Sequence, residues 1–309
     1  MDAVITWVDT NDPKHIAKRN AILGRVGPPV DAPGVSLNEI ELCLCSILKF
    51  APFFRRLFLV TDDQVPDCLD RVIARFPEAR DKIVLVDHRT IFAGNADLLP
   101  TFNSTSIETM LFRVPGLDEE YVYFNDDFCL IRPVAPEDFF KRGRPQLRGV
   151  WHNSLKLRAK VALQHWGLAK PPSKINRKSL MWRAAQLAGV GPRFFFNDHT
   201  PHPFRRSVQV AFDQSHPDLL RQNAGFRFRS PDQFNVAALA DHLEIATRHA
   251  DFVPPRLIYL SPGQRHDTPA RVLHKIRYGM AKGHPFCCVQ FLDASAPQMR
   301  DMVLNWLTR

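Results

Sequence analysis

The sequence predicts an α/β protein whose sheet is mostly parallel and covered by helices on both faces. Three observations predict it. Short β-branched and aromatic runs recur through the first 140 residues, helical stretches separate them, and each run ends in polar residues. The runs are AVITWV (3–8), RLFLVT (56–61), KIVLVD (82–87) and YVYFN (121–125).

The first helical stretch, SLNEIELCLCSILKF (36–50), opens with Ser36 and Glu39 in capping-box spacing and stops before Pro52. DCLDRVIARF (67–76) and STSIETMLFRV (104–114) read as further helices. The runs hand on to VDTND, TDDQ, DHRT and NDD. In a parallel sheet these four ends share one edge, where α/β proteins bind their ligands. Asp126 and Asp127 could simply form a turn. Turn chemistry, however, would not need to recur on one edge, and the recurrence favours a metal or phosphate site.

From about residue 145 the pattern changes. SLKLRAKVALQHWGLA and SLMWRAAQLAGV read as basic helices, with KPPSK between them. PRFFFNDHTPHPFRRS is too rich in proline and polar residues for one regular element. Helical stretches follow at 206–222 and 232–248, then a strand, PFCCVQFL, and a terminal helix, PQMRDMVLNWLTR. If that strand joins the first sheet, residues 1–144 form an α/β core. Residues 145–283 are then a basic, mainly helical insertion, and 284–309 a strand and helix returning to the core.

The composition, 45% hydrophobic and 24% charged, is that of a globular protein. No apolar run approaches the ~20 residues that span a bilayer. Acidic Asp2 and an immediate strand lack signal-peptide features. Six cysteines without a C-x-x-C pair read as reduced core residues, and the expected location is cytoplasmic, with the inner membrane face as a further option. The charge is uneven. Residues 141–230 hold 18 Lys and Arg against three acids, a net +15, whereas the remainder has 23 against 29. A basic middle on an acidic body implies an anionic partner.

Glycine-rich phosphate loops, a G-x-S-x-G elbow and an H-E-x-x-H helix are all missing. Phosphate would therefore be handled by metal and arginine. Asp126 and Asp127 suit a divalent cation bound to diphosphate oxygens. Arg229, in FRFRSPDQF, suits a phosphate clamp, and His202, in HTPHPF, a general base. Singly, each is equally well a surface arginine or a histidine stacked on nearby phenylalanines.

Together the stretches resemble the Stealth phosphotransferases, a family that includes bacterial capsule polymerases and the animal GlcNAc-1-phosphotransferase. DAVITWVDTNDP (2–13) is similar to the family's first block. FAPFFRRLFLVTDDQVPDCL, LPTFNSTSIETMLFRVPGL and YVYFNDDFCL are similar to its second, in the expected order. HTPHPF to FRFRSPDQF is a looser third block, and PFCCVQFLDAS the weakest. The resemblance implies a GT-A-like fold with a nucleotide-sugar-binding core, and active-site roles for Glu108, Asp127, His202 and Arg229. Trp7, Asp9 and Asp12 would line the nucleotide-sugar pocket. Asn103 and Ser104 would start a helix facing it, whose exposed N–H groups would suit an anion. Two departures stand out: Glu41 and Cys45 where the family has arginines, and Gln290-Phe291 with displaced Asp293 where it has an Asn-Asp pair.

The expected reaction carries sugar-1-phosphate from a UDP-sugar, UDP-GlcNAc or another UDP-hexose, to an acceptor glycan hydroxyl. Mg²⁺ or Mn²⁺ sits on Asp127 with help from Asp126, and His202, with Glu108 as rival, is the base. UMP leaves, and a growing phosphate-linked chain would lie on the basic middle, at Arg177, Lys178 and Arg183. A GT-A glycosyltransferase releasing UDP shares the acidic strand ends. A polyanion binder without catalysis shares only the basic segment, which carries no specific nucleic-acid motif. The basic surface also permits peripheral membrane association, and oligomeric state is not readable.

Overall fold

The computed structural model describes residues 1–25, 39–166, 168 and 175–308. Ser36 and the KPPSK stretch therefore lie outside the described residues. The strands are β1 (Asp2–Thr6), β2 (Leu57–Thr61), β3 (Ile83–Asp87), β4 (Glu120–Asn125), β5 (Phe128–Leu130), β6 (Phe140–Lys141), β7 (Arg144–Asn153), β8 (Arg193–Asn197), β9 (His202–Arg205), β10 (Asp251–Val253), β11 (Leu257–Leu260) and β12 (Phe286–Val289).

A five-stranded sheet has the order β3-β2-β1-β4-β9. Its first four strands are parallel, and β9 closes the edge antiparallel to β4. The mostly parallel sheet read from the sequence is thus present, and its four polar strand ends do share one edge. Alternation sorts the side chains onto two faces. Ala3, Ile5, Leu57, Leu59, Val122 and Phe124 pack on one side, where helix α2 (Glu39–Phe50) covers them. Val4, Phe58, Val60, Tyr121 and Tyr123 pack on the other, against Ile107, Met110 and Leu111.

Several elements differ from expectation. The final strand β12 does not join this sheet. It pairs with β11 in parallel and β5 antiparallel in a separate three-stranded sheet, reaching the core through β5. The chain steps from one sheet to the other at Asp126-Asp127, between β4 and β5. The middle segment is less helical than its composition suggested, and it supplies β9 to the main sheet. Stretch 104–114 breaks into the helix Ser104–Glu108 and a 3-10 turn, Leu111–Arg113. Stretch 206–222 breaks into Arg206–Ser215 and Pro217–Ala224, because Pro217 cannot continue the first helix's hydrogen bonding. Strand β7 was hidden by Pro145 and Gly149, poor strand formers. Gly149 is required there: a Cβ would lie 2.3 Å from the Phe196 carbonyl and 2.8 Å from the Asn197 Cα. All six cysteines are free, and only Cys45 is not fully buried.

Two predictions follow from this packing. Gly149→Ala should lower stability by about 1–3 kcal/mol through overpacking, measured by denaturant melts; an unchanged midpoint would contradict the close approach. Asp241, 2% exposed, accepts a bond from Asn197 Nδ2 at 2.8 Å, and burial lifts its carboxyl to about 7. The folded state holds this proton at pH values where the unfolded chain has released it. Stability relative to Asp241→Asn should therefore fall as pH rises from about 4 to 7, by about 1.4 kcal/mol per pH unit at most, and level off above. A pH-independent gap between the two would refute that.

Candidate active site

A cavity of about 970 Å³ opens at the carboxyl edge of the main sheet, and Glu108, Asp126, Asp127, His202 and Arg229 all line it. Each arrives by a separate local rule. Asp126 and Asp127 sit where the chain leaves β4. His202 starts β9, where the antiparallel register sets it opposite Tyr123, their rings stacked at 6.3 Å. Glu108 ends the short helix Ser104–Glu108, and its Oε1 accepts from the Tyr123 hydroxyl at 3.2 Å. Tyr123 also bonds Asn125 Oδ1 at 2.5 Å and Thr6 Oγ1 at 3.0 Å, tying three strand-end groups together. Arg229 donates to Ser104 Oγ at 3.0 Å.

One wall of the cavity is acidic. Burial, then the charges of Asp126, Asp127 and Asp293, lifts Glu39 to about 8. Burial and Asp127 lift Asp126 to about 7. Burial also raises Asp127, held back by bonds from Gln290 and Cys288. Gln290 Nε2 donates to Asp127 Oδ2 at 2.9 Å, and the Tyr259 hydroxyl donates to Gln290 Oε1 at 2.9 Å, so the amide's orientation follows from its partners. Asp127 Oδ1 is buried without any hydrogen-bond partner. That orphaned oxygen, amid carboxylates that repel one another, fits a divalent cation. Such an ion would rely on one or two carboxylates plus phosphate oxygens, since the described residues contain no group of three or more His, Cys, Asp or Glu placed to hold a metal.

The other wall is basic or neutral. Burial first, then Arg177 and His199, pushes His202 down to about 3, and similar causes push His199 to about 4. Burial raises the Glu108 carboxyl, while Arg229, the Tyr123 bond and Arg177 draw it back. At the end formed by β1 and β3, Trp7, His15 and His88 line the cavity. His15 Nδ1 lies 3.0 Å from Asp62 Oδ2, and burial takes His88 to about 4.

Three expectations need correction. Asp9 and Asp12 do not line the cavity. Asp9 Oδ1 accepts from the Asn11 N–H, and Asp12 caps helix α1 (Pro13–Leu23) while accepting from Gln64 Nε2. Asn103 and Ser104 do line it, but the helix start offers few free donors. The Thr105 N–H is capped by Asn103 Oδ1, and those of Ser106 and Ile107 bond the Asn103 carbonyl. The trio Arg177, Lys178 and Arg183 is not one outer track. Arg177 lines the cavity, Lys178 is exposed, and Arg183 is spent on the Asp232 and Gln233 carbonyls. The two family departures separate as well. Glu41 pairs with Arg71 and shares with Cys45 a second cavity of about 490 Å³, whereas Gln290 faces the main one. Sequence reasoning did not find Arg177's place, His199, Tyr123 or Glu39, which come from distant helices, a strand and a connecting segment and meet only in the folded chain.

Comparison with known proteins agrees with the motifs. Family models described as Stealth protein conserved region 1 and conserved region 2 match residues 1–27 and 35–147. A receptor polysaccharide phosphotransferase of Streptococcus oralis is 30% identical over 268 residues, covering 76% of this chain and 75% of the relative. An exopolysaccharide phosphotransferase of Streptomyces coelicolor is 31% identical over 308 residues, covering 96% of this chain but 30% of the relative. The chain thus spans less than half the length of some curated relatives it matches. Among solved structures, the galactosyltransferase LgtC in complex with donor and acceptor sugar analogues aligns with a TM-score of 0.44 and 11% identity, over 94% of this chain and 87% of that one. With three specific motif stretches in order, both family regions matched and a relative aligned over three quarters of its own length, the chain belongs to the Stealth family.

Proposed function

We propose that the chain transfers sugar-1-phosphate from a UDP-sugar, a UDP-hexose or UDP-GlcNAc, to a hydroxyl of an acceptor glycan in capsular or exopolysaccharide synthesis. The observation that carries this reading is a single cavity that unites Glu108, Asp126, Asp127, His202 and Arg229. The names of the relatives, polysaccharide phosphotransferases, support the same reaction class.

In this reading the acceptor oxygen forms a bond to the phosphorus carrying the sugar. The bond from that phosphorus to the bridging oxygen breaks, and UMP leaves with its electron pair. The product is a phosphodiester. Asp127, with Asp126, would hold Mg²⁺ or Mn²⁺, which when bound neutralises charge on the diphosphate oxygens. His202 takes the acceptor's proton. Its ring is packed against Tyr123, Phe128 and Phe204, and burial keeps it neutral, so a lone pair is free. A diphosphate beside Arg177 would offset the positive charge that depresses this imidazole and would raise its basicity. Glu108 is the rival base, fixed in place by the Tyr123 hydroxyl. Arg229 draws charge from the phosphoryl oxygens, the kind of preorganised electrostatics on which phosphoryl transfer depends.

The test is product analysis with purified protein, Mg²⁺, a panel of UDP-sugars and glycan acceptors. UMP should appear only with acceptor, and His202→Ala should lower kcat by about 10²–10⁴-fold. Asp127→Ala should abolish turnover without unfolding the chain, as checked by circular dichroism. Release of UDP in place of UMP would move the attack to the anomeric carbon and overturn the reading.

A further inference from the structure

Arg177 opens the helix Arg177–Leu187 and reaches into the cavity wall. Its Nη1 lies 2.8 Å from His199 Nε2, and its Nη2 donates to the Asn197 carbonyl at 2.9 Å and Asn197 Oδ1 at 3.1 Å. The guanidinium also stacks on Phe196, 4.8 Å from the ring centre. Every one of these partners is neutral. Among the described residues no carboxylate forms an ion pair with it, although Asp198 is close enough to be felt. Arg205, by contrast, forks onto Glu244 at 2.7 Å. Arg148 is also buried without an ion pair, on the Gln146 and Asp138 carbonyls and the Phe286 ring, but unlike Arg177 it does not line the main cavity.

Taking a cation out of water costs several kcal/mol unless an anion compensates it. Burial already pushes the Arg177 guanidinium below its ordinary range. Three hydrogen bonds and a ring face fix the orientation, and the guanidinium so fixed lines the cavity. His199 adds to it. Arginine can only donate, so His199 Nε2 accepts and the proton of the neutral ring resides on Nδ1. His199 is itself stacked on Tyr259 at 5.0 Å. Guanidinium N–H groups and an imidazole N–H are thus offered together, on the wall that also carries His202.

We infer that Arg177 and His199 form a phosphate-oxyanion subsite of the cavity, separate from the one at Arg229. The phosphate is either that of the donor's diphosphate or a phosphodiester already in the acceptor chain. The inference rests on reading the cavity as a site for phosphate chemistry, but its test requires no turnover.

Inorganic phosphate is titrated into the full chain and into Arg177→Gln and Arg177→Lys, by calorimetry and by the arginine side-chain Nε–H resonances. The expected result is at least a tenfold weaker affinity in Arg177→Gln and an intermediate one in Arg177→Lys. A folded Arg177→Gln with wild-type phosphate affinity would overturn the assignment. If that variant does not fold, the wild-type resonance decides: a shift of Arg177 Nε–H on saturation supports the subsite, and an unmoved resonance overturns it. Displacement of bound phosphate by UDP assigns the subsite to the donor, and displacement only by a phosphodiester-linked disaccharide assigns it to the acceptor. Loss of phosphate binding in Arg177→Gln, in a protein found to release UDP, would leave this subsite standing while the proposed reaction failed.

Discussion

Charges of both signs face one cavity in this chain without neutralising one another. Glu39, Asp126 and Asp127 hold one side, where burial and mutual repulsion raise them. Arg177 and Arg229 hold the other and meet only neutral hydrogen-bond partners, although both draw on Glu108. A folded protein normally pairs such groups or keeps them in water. Leaving them apart costs stability, a cost that the proposed ligand would offset by bringing a cation to the carboxylates and an anion to the arginines. A metal-bound diphosphate has that polarity.

The topology imposes the separation. Four parallel strands deliver their polar ends to a single edge, and at Asn125 the chain turns into a second sheet, which fixes Asp126 and Asp127 at the seam. Strand β12 then brings Gln290 to Asp127 from more than 160 residues away. On the basic side, His202 comes from strand β9, paired antiparallel with β4, Arg177 from the helix Arg177–Leu187, and Arg229 from the segment before the helix Val236–Ala246.

Much of the core was legible in the sequence because it follows from local rules. Period-2 alternation and β-branched runs marked β1 to β4, and the recurrence of acidic ends marked their shared edge. Glu108, Asp126, Asp127, His202 and Arg229 were legible through the motifs that surround them. What failed to show depended on distant pairing. β7 reads poorly because Gly149 answers a close approach by the Phe196 carbonyl rather than strand propensity. The destination of β12 was misjudged because an apolar strand carries no label for its partner. Arg177 looked like one of many solvated cations, since burial without a counter-charge is invisible in composition. Asp9 and Asp12 misled for the opposite reason: sitting beside a cavity strand, they are consumed by a turn and a helix cap.

The central claim is that the two walls bind cation and phosphate interdependently. Calorimetric titration of Mg²⁺ with and without saturating UDP tests it most directly. The account predicts weak Mg²⁺ binding alone, at least tenfold tighter binding in the presence of UDP, and loss of that gain in Asp127→Asn. Equal Mg²⁺ affinity with and without UDP, in a protein that binds UDP, would contradict it.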